Sequence, residues 1–335
     1  MSSVLEIATH GSAPLRLDLA GGWTDVPPFS AREGGLVVNV ALGLYAHATV
    51  ETGGQGLVLV SEDLLEEVRL NSPDELDPKG QLPLLQSALR RFPVSPCMVT
   101  TRSEAPAGSG LGSSGALDVA LVSALLKARG ETLEREELAH EAWEVEAVEA
   151  GMAGGKQDQY AATLGGCHLL RFNDPDVLAE SLRLDDALVD HLQRHLVLCY
   201  TGTSRVSGDT IRRVMDAYER GDSGVVGALR GMKEVANRMV DALAKGKSEE
   251  IGALLSANWA HQCALDPQMQ TPSMVRLEQA MREAGVHGGK AAGSGAGGCM
   301  FFLAGRDPMA AANAARQAGA QVLPVTLVKE GVRAW

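Results

Sequence analysis

Pro106-Ala107-Gly108-Ser109-Gly110-Leu111-Gly112-Ser113-Ser114 runs straight into GALDVALVSALLKA, an almost unbroken helix-forming stretch. Glycines let a backbone turn its N–H groups inward around an anion. A helix N-terminus adds the positive end of its dipole, and paired serines add hydroxyls that reach a phosphate or a metal. Pro106, Gly108, Ser109, Gly110, Leu111, Gly112, Ser113 and Ser114 are therefore candidates for a phosphate cradle. No lysine follows the last glycine, so the Walker spacing is not met. The plainer alternative is a Gly/Ser turn in front of a buried helix.

Other segments carry ionisable groups at suggestive spacing. EVEAVEAGMAGGKQDQ places Glu146 twelve residues before Asp158, with Lys156 two residues ahead of that aspartate. Glu141, Glu144 and Glu149 compete with Glu146, and an acidic helix face needs no function. An Asp between two Gln beside a glycine-rich turn can simply close the turn. Arg16 and Asp18 alternate with Leu15, Leu17 and Leu19 in a strand-like run, where an arginine is more often an ion-pair partner than a catalytic group. Gly21-Gly22-Trp23-Thr24-Asp25 sets an indole and a carboxylate in a glycine-led turn, where the carboxylate can accept hydrogen bonds and the indole can simply pack.

The elements that must position these groups are of mixed type. Ala13–Leu19, Leu36–Glu51, Leu57–Val60 and Val94–Thr101 read as strands, and Pro83–Phe92 as a helix. Ala116–Ala128 is apolar nearly all round, which marks a core helix. Glu134–Ala150 reads as an amphipathic acidic helix, and Tyr160–Phe172 as a return to strand. The composition shifts at Asn173-Asp174-Pro175, which places a first domain at 1–175 and a second at 176–335. The second half is expected to run from strand His195–Thr201 through helices Asp209–Arg220, Val225–Ala244, Ser248–Asn258 and Ser273–Ala284. A glycine-rich segment, Gly288–Gly298, then opens into strand Cys299–Leu303, followed by helix Pro308–Ala318 and strand Val322–Val328. Strands and helices in irregular order argue for α+β in both halves.

At 335 residues, with 45% hydrophobic and 21% charged residues, the chain is an ordinary globular protein of about two domains. Lys+Arg 30 against Asp+Glu 42 gives a net charge of −12, which argues against nucleic acid or an anionic membrane as partner. Five singly scattered cysteines without a CxxC pair suit reduced thiols in the cytoplasm. The amino terminus lacks the pattern of a signal peptide, and no apolar run is long enough to span a bilayer.

Three segments in order, Ala13–Asp25, Pro106–Ser114 and Gly288–Gly298, resemble the three motifs of the GHMP kinases. APLRLDLAGGWTDVPPF, GGKQDQYAATLGG, YTGTSRVSG and GGKAAGSGAGG look most like the anomeric sugar kinases of that superfamily, the fucokinases and the kinases of heptose 7-phosphate. The resemblance implies a two-domain α+β fold, with a ribosomal protein S5 domain 2-like N-terminal domain, a ferredoxin-like C-terminal domain and a cleft between them. It further implies ATP and Mg²⁺ as cofactors, a sugar as the small-molecule partner, and phosphorylation of the anomeric hydroxyl. On that resemblance Asp158 is the base, Arg16 and Lys156 are the cations beside it, and Ser114 and Glu146 hold the metal. Asp25, Trp23, Gly155 and Gly295 then face the sugar. Gly22 stands where galactokinases carry Glu, which argues against galactose. A scarcity of cations tilts the acceptor towards a neutral sugar such as L-fucose, with Arg171, Arg205 and Lys233 as the candidates that would reverse the tilt. The alternatives are a galactokinase, a mevalonate-branch enzyme, or a regulator that binds sugar and ATP without turnover.

Overall fold

The computed structural model describes residues 8–202 and 207–335. Its first sheet is built on a long antiparallel pair, β1 (Ala8–Ala20) and β2 (Gly35–Thr52). β3 (Leu57–Ser61) and β4 (Glu66–Leu70) form a hairpin, and β3 lies parallel to β5 (Cys97–Ser103). β5 pairs with the second half of β2, while β6 (Cys167–Asn173) pairs with its first half and carries β7 (Asp176–Ser181) at the edge. The second sheet is antiparallel, in the order β11 (Gln321–Leu323), β8 (Leu196–Tyr200), β10 (Cys299–Ala304), β9 (Val286–Ala291). β12 (Arg333–Ala334) returns to the first sheet beside β1.

In chain order the helices are α1 (Phe29–Glu33), α2 (Pro83–Arg91), α3 (Ser113–Arg129), α4 (Arg135–Trp143), α5 (Gln157–Leu164) and α6 (Asp186–His195), then α7 (Ser207–Glu219), α8 (Ser223–Ala244), α9 (Ser248–Cys263), α10 (Pro272–Glu283) and α11 (Pro308–Gln317). α3 is buried from Ala116 through Leu126 on nearly every side, as its all-round apolar sequence requires, and packs on β1 and β2. Leu15, Leu17 and Leu19 of β1 enter the first sheet's core. The turn after β1 joins the other core instead: Trp23, Val26 and Phe29 pack with Val197, Met232 and Phe302. The two halves therefore share an interface along the first motif.

The α+β class holds, and several boundaries differ from the sequence reading. Of the stretch read as strand from Tyr160, residues 160–164 are helical, the end of α5: Ala161, Ala162 and Leu164 favour helix, and Gly165 ends it with φ 70°. The acidic helix changes to a π-helical turn over Glu144–Glu149. α6 precedes β8, its start fixed by the Asp185 carboxylate accepting from the Leu188 amide at 2.6 Å. A division at 175 falls inside the β6–β7 hairpin, where Asn173 pairs with Asp176, and the chain's last strand lies back on the first sheet. Among the described residues all five cysteines are unpaired, and no helix is long and apolar enough to cross a membrane.

Candidate active site

The Pro106–Ser114 loop joins β5 to α3. Gly108, Gly110 and Gly112 all have positive φ, and the first turn of α3 has no acidic side chain to neutralise its positive end. The third motif lies directly on this loop. The Cys299 amide donates to the Ser109 carbonyl at 2.7 Å, and a Cβ on Gly293 would lie 2.6 Å from the Gly110 oxygen, so only glycine permits this approach. Leu111 is a core side chain whose carbonyl accepts from the Arg16 amide at 3.0 Å. Pro106 lies outside the cleft lining and closes the loop through its carbonyl, which accepts from the Ser109 amide at 3.1 Å. These two residues shape the cradle from behind.

Strand alternation turns Arg16 and Asp18 towards the cleft while the intervening leucines go to the core. The Arg16 guanidinium is buried and engages every one of its nitrogens. Nε and Nη2 each lie 2.8 Å from Asp158 Oδ1, and Nη1 donates to the Gly110 carbonyl at 2.7 Å and the Ala292 carbonyl at 3.0 Å. One side chain thus ties β1 to the glycine loop, the third motif and the start of α5. Asp158 stays a quarter exposed and lines the cleft.

Glu146 sits in the π-helical turn and meets Gln159 Nε2 at 2.6 Å and the Ser114 hydroxyl. Burial pushes its carboxyl up from the usual range, the Ser114 hydrogen bond pulls it down, and nearby Asp158 adds to the rise. Its three rivals are claimed elsewhere. Arg91 on α2 pairs with Glu141 at 2.5 Å, Glu144 at 3.5 Å and Glu149 at 3.7 Å, leaving Glu146 alone turned inward. One turn beyond Ser114, Asp118 is wholly buried with neither oxygen partnered. Burial, then the charge of Glu146, holds it well above the carboxylate range. Asp118, Glu146 and Asp158 thus gather near a single cation, Arg16, which pairs with Asp158.

Two residues along β1 from Arg16, Asp18 has a partner the sequence did not reveal. Asp18 Oδ2 lies 2.6 Å from Nζ of Lys290, a fully buried lysine on β9 that also donates to the Asp18 carbonyl at 2.7 Å. Burial lowers the Lys290 pKa, and Asp18 opposes that shift. A Cβ on Gly22 would lie 2.1 Å from Asp18 Oδ2, so this carboxylate fills the space a side chain at position 22 would need. Asp25 also lines the cleft, yet both its oxygens are engaged. Oδ2 accepts from the Gln157 amide and Oδ1 from Gln157 Nε2, each at 3.1 Å, while Gly155 lies against the same carboxylate. Burial raises Asp25 to about 7, against the Gln157 backbone hydrogen bond, with nearby Asp158 adding to the rise.

Besides Pro106 and Leu111, two further expected residues do not line the cleft. Lys156 turns away from the cleft: its buried ammonium pairs with Asp174 at 2.7 Å, donates to the Pro175 carbonyl at 3.0 Å and sits 4.6 Å above the Trp143 ring. A carboxylate and an indole satisfy that charge, so Lys156 is a structural cation. Gly295 packs on Met269 and does not line the cleft, whereas its neighbours Gly293 and Ser294 do. Arg171 pairs with Glu180 and Lys233 donates to the Glu33 carbonyl, both outside the cleft. Arg205 lies outside the described residues, and Arg212 on α7 contributes an exposed cation at the cleft edge. The sequence reading missed Asp18, Gln157, Lys290 and Arg91. The alternation of β1 flags Asp18 and the GGKQDQY run flags Gln157, but nothing local flags the other two.

The cleft holds about 810 Å³ and is lined from both halves, by Arg16, Asp25 and Asp158 on one side and Gly208, Ile211 and Gly293 on the other. A glycine-rich loop at a helix start, with acidic side chains beside it in a cleft lined from both halves of an α+β chain, is an arrangement suited to phosphoryl transfer. The family models described as GHMP kinases N terminal domain and GHMP kinases C terminal match residues 83–166 and 239–324. A D-glycero-alpha-D-manno-heptose 7-phosphate kinase of Campylobacter jejuni is 31% identical, covering 96% of this chain and 97% of its own. An L-fucokinase/L-fucose-1-P guanylyltransferase of Bacteroides fragilis is 28% identical over 90% of this chain, which spans 35% of that longer protein. Among solved structures, a D-glycero-D-manno-heptose 1-phosphate kinase from Bacteroides thetaiotaomicron superposes with TM-score 0.79 at 28% identity, covering 98% of each chain. Lactococcus lactis galactokinase, complexed with galactose, shares the fold at TM-score 0.75 and 19% identity, over 97% of this chain and 95% of its own. The chain belongs to the GHMP kinases.

Proposed function

We propose that this kinase transfers the γ-phosphoryl group of ATP to the anomeric hydroxyl of a monosaccharide, giving a sugar 1-phosphate. The observation that carries the reading is the Arg16 fork, which fixes Asp158, the glycine loop and the third motif relative to one another. Phosphoryl transfer asks the protein mainly for position and charge. The Gly108–Ser114 backbone and the start of α3 receive the phosphates. Asp158, anchored through Oδ1, accepts the proton of the attacking hydroxyl as the bond to phosphorus forms.

Mg²⁺ fits the residues present. Ser114 and Glu146 offer hard oxygens already in contact, one helical turn from the buried, unpartnered carboxyl of Asp118. Among the described residues no three His, Cys, Asp or Glu side chains group to hold a metal. That suits an ion that takes one or two protein oxygens and fills its shell with phosphate and water. When bound, it would spread the charge that develops on the phosphate oxygens.

The acceptor is a reducing sugar of the class named for the relatives, a heptose 7-phosphate or an L-fucose-like sugar. Full-length correspondence to a heptose 7-phosphate kinase supports the first, and the shortage of cations in the cleft supports the second. ADP release across free and phosphorylated hexoses and heptoses tests the proposal. Turnover with one of these sugars is expected, and ADP release with none of them overturns it.

A further inference from the structure

Two residues of the cleft lining each carry a buried polar atom with no partner in the protein. Trp23 Nε1 has no acceptor and Gln157 Oε1 has no donor, and both side chains are at least nine-tenths buried residues of the cleft lining. Each unbonded buried group costs about 1–3 kcal/mol, so two of them along one ligand cleft point to a ligand that completes both.

The surroundings fix how each is presented. Trp23 has φ 79°, in the left-handed region where a bulky residue is an outlier, held by the Thr24 amide bonding to the Gly21 carbonyl at 3.1 Å and the Val26 amide to the Trp23 carbonyl at 3.2 Å. Gln157 is oriented by Asp25. An ionised carboxylate only accepts, so it takes the Gln157 backbone N–H and the side-chain NH₂, and the amide oxygen is directed away.

We infer that Trp23 and Gln157 read hydroxyls of the acceptor remote from the reacting oxygen, Trp23 donating through Nε1 and Gln157 accepting through Oε1, with Asp25 as a positioning residue that acts through Gln157. A hydroxyl is the neutral group that both donates and accepts, so a single hydroxyl or a vicinal pair satisfies this donor and this acceptor. A phosphate oxygen would meet Gln157 Oε1 with repulsion, and an ammonium would leave Trp23 Nε1 unbonded. Both atoms are shielded from solvent in this structure, so the inference includes a small turn of each side chain to meet the sugar, a common adjustment on binding. The inference rests on the reading of the acceptor as a sugar. It moves the hydroxyl contact from Asp25 to Gln157.

The test uses the full chain with L-fucose, D-glycero-D-manno-heptose 7-phosphate and mono-deoxy analogues of whichever binds. The indole N–H resonance of Trp23, assigned by its loss in Trp23→Phe, is expected to shift on addition of the sugar. The parent is expected to prefer the full sugar over one deoxy analogue by roughly 10²–10⁴-fold in kcat/KM. Trp23→Phe and Gln157→Met each remove much of that preference and leave the KM for ATP unchanged. An indole resonance that no sugar moves overturns the inference, as does an equal loss in both variants for the sugar and every analogue. A shifted resonance without ADP release from any sugar sinks the proposed phosphoryl transfer and leaves the hydroxyl reading supported.

Discussion

Gly22→Ala is expected to destabilise the protein although the backbone there lies outside the left-handed region. At such a position an alanine ordinarily stabilises by about 0.4–1 kcal/mol through the unfolded chain. Here the new Cβ would lie 2.1 Å from Asp18 Oδ2 and 2.8 Å from its Cγ. A flexible side chain would swing aside, but Asp18 is held at 2.6 Å by a lysine with no solvent exposure. Displacing it breaks a buried ion pair, at a cost of about 3–5 kcal/mol. The net expectation is a loss of about 3 kcal/mol. With an unfolding entropy of about 2.1 cal/mol/K per residue, that lowers Tm by about 4 °C in a chain of 335 residues. A double-mutant cycle with Asp18→Ala isolates the cause, since Gly22→Ala in that background meets no carboxylate and should be neutral to stabilising by up to about 1 kcal/mol. Thermal and urea unfolding of the four proteins reads the cycle. Equal losses in both backgrounds, or none in either, would refute the reasoning.

Asp158→Asn should retain ATP binding by calorimetry and lose turnover by roughly 10²–10⁴; parental turnover would remove Asp158 as the base. Glu146→Gln should raise the Mg²⁺ concentration needed for half-maximal rate, with little effect at saturating metal. Asp25 titrates at about 7, so the anion that orients Gln157 forms as pH rises through that value, and kcat/KM for the sugar should climb with it. The same carboxyl has a folded pKa above its unfolded one, so its contribution to stability falls as pH rises from about 4 to 7. Asp25→Asn should abolish both trends, and an unchanged profile would show that another group sets them.

The site was legible where local sequence dictates local chemistry. Glycines at 108, 110 and 112 before an apolar helix give the positive-φ turn found there, and the alternation of leucines with Arg16 requires that arginine to face away from the core. Glu146 was separable from Glu141, Glu144 and Glu149 only by its spacing to Asp158. The physical reason for the choice is Arg91, more than forty residues upstream, which draws off all three rivals. Lys156 looked like a cation beside the base because sequence proximity does not show that Asp174 and the Trp143 ring satisfy it. The Asp18–Lys290 pair joins residues 272 positions apart, and no periodicity carries such information. Residues 160–164 read as strand because a short apolar run suits a buried strand as well as a helix turn.

The central claim is tested most directly by the position of the phosphate in the product. Incubation with ATP, Mg²⁺ and the sugar that releases ADP, followed by ³¹P NMR, should show a phosphorus nucleus coupled to the anomeric proton. The methyl glycoside of that sugar, blocked at the same oxygen, should give no product. Phosphate on a primary or ring hydroxyl, or turnover of the glycoside, would contradict the account.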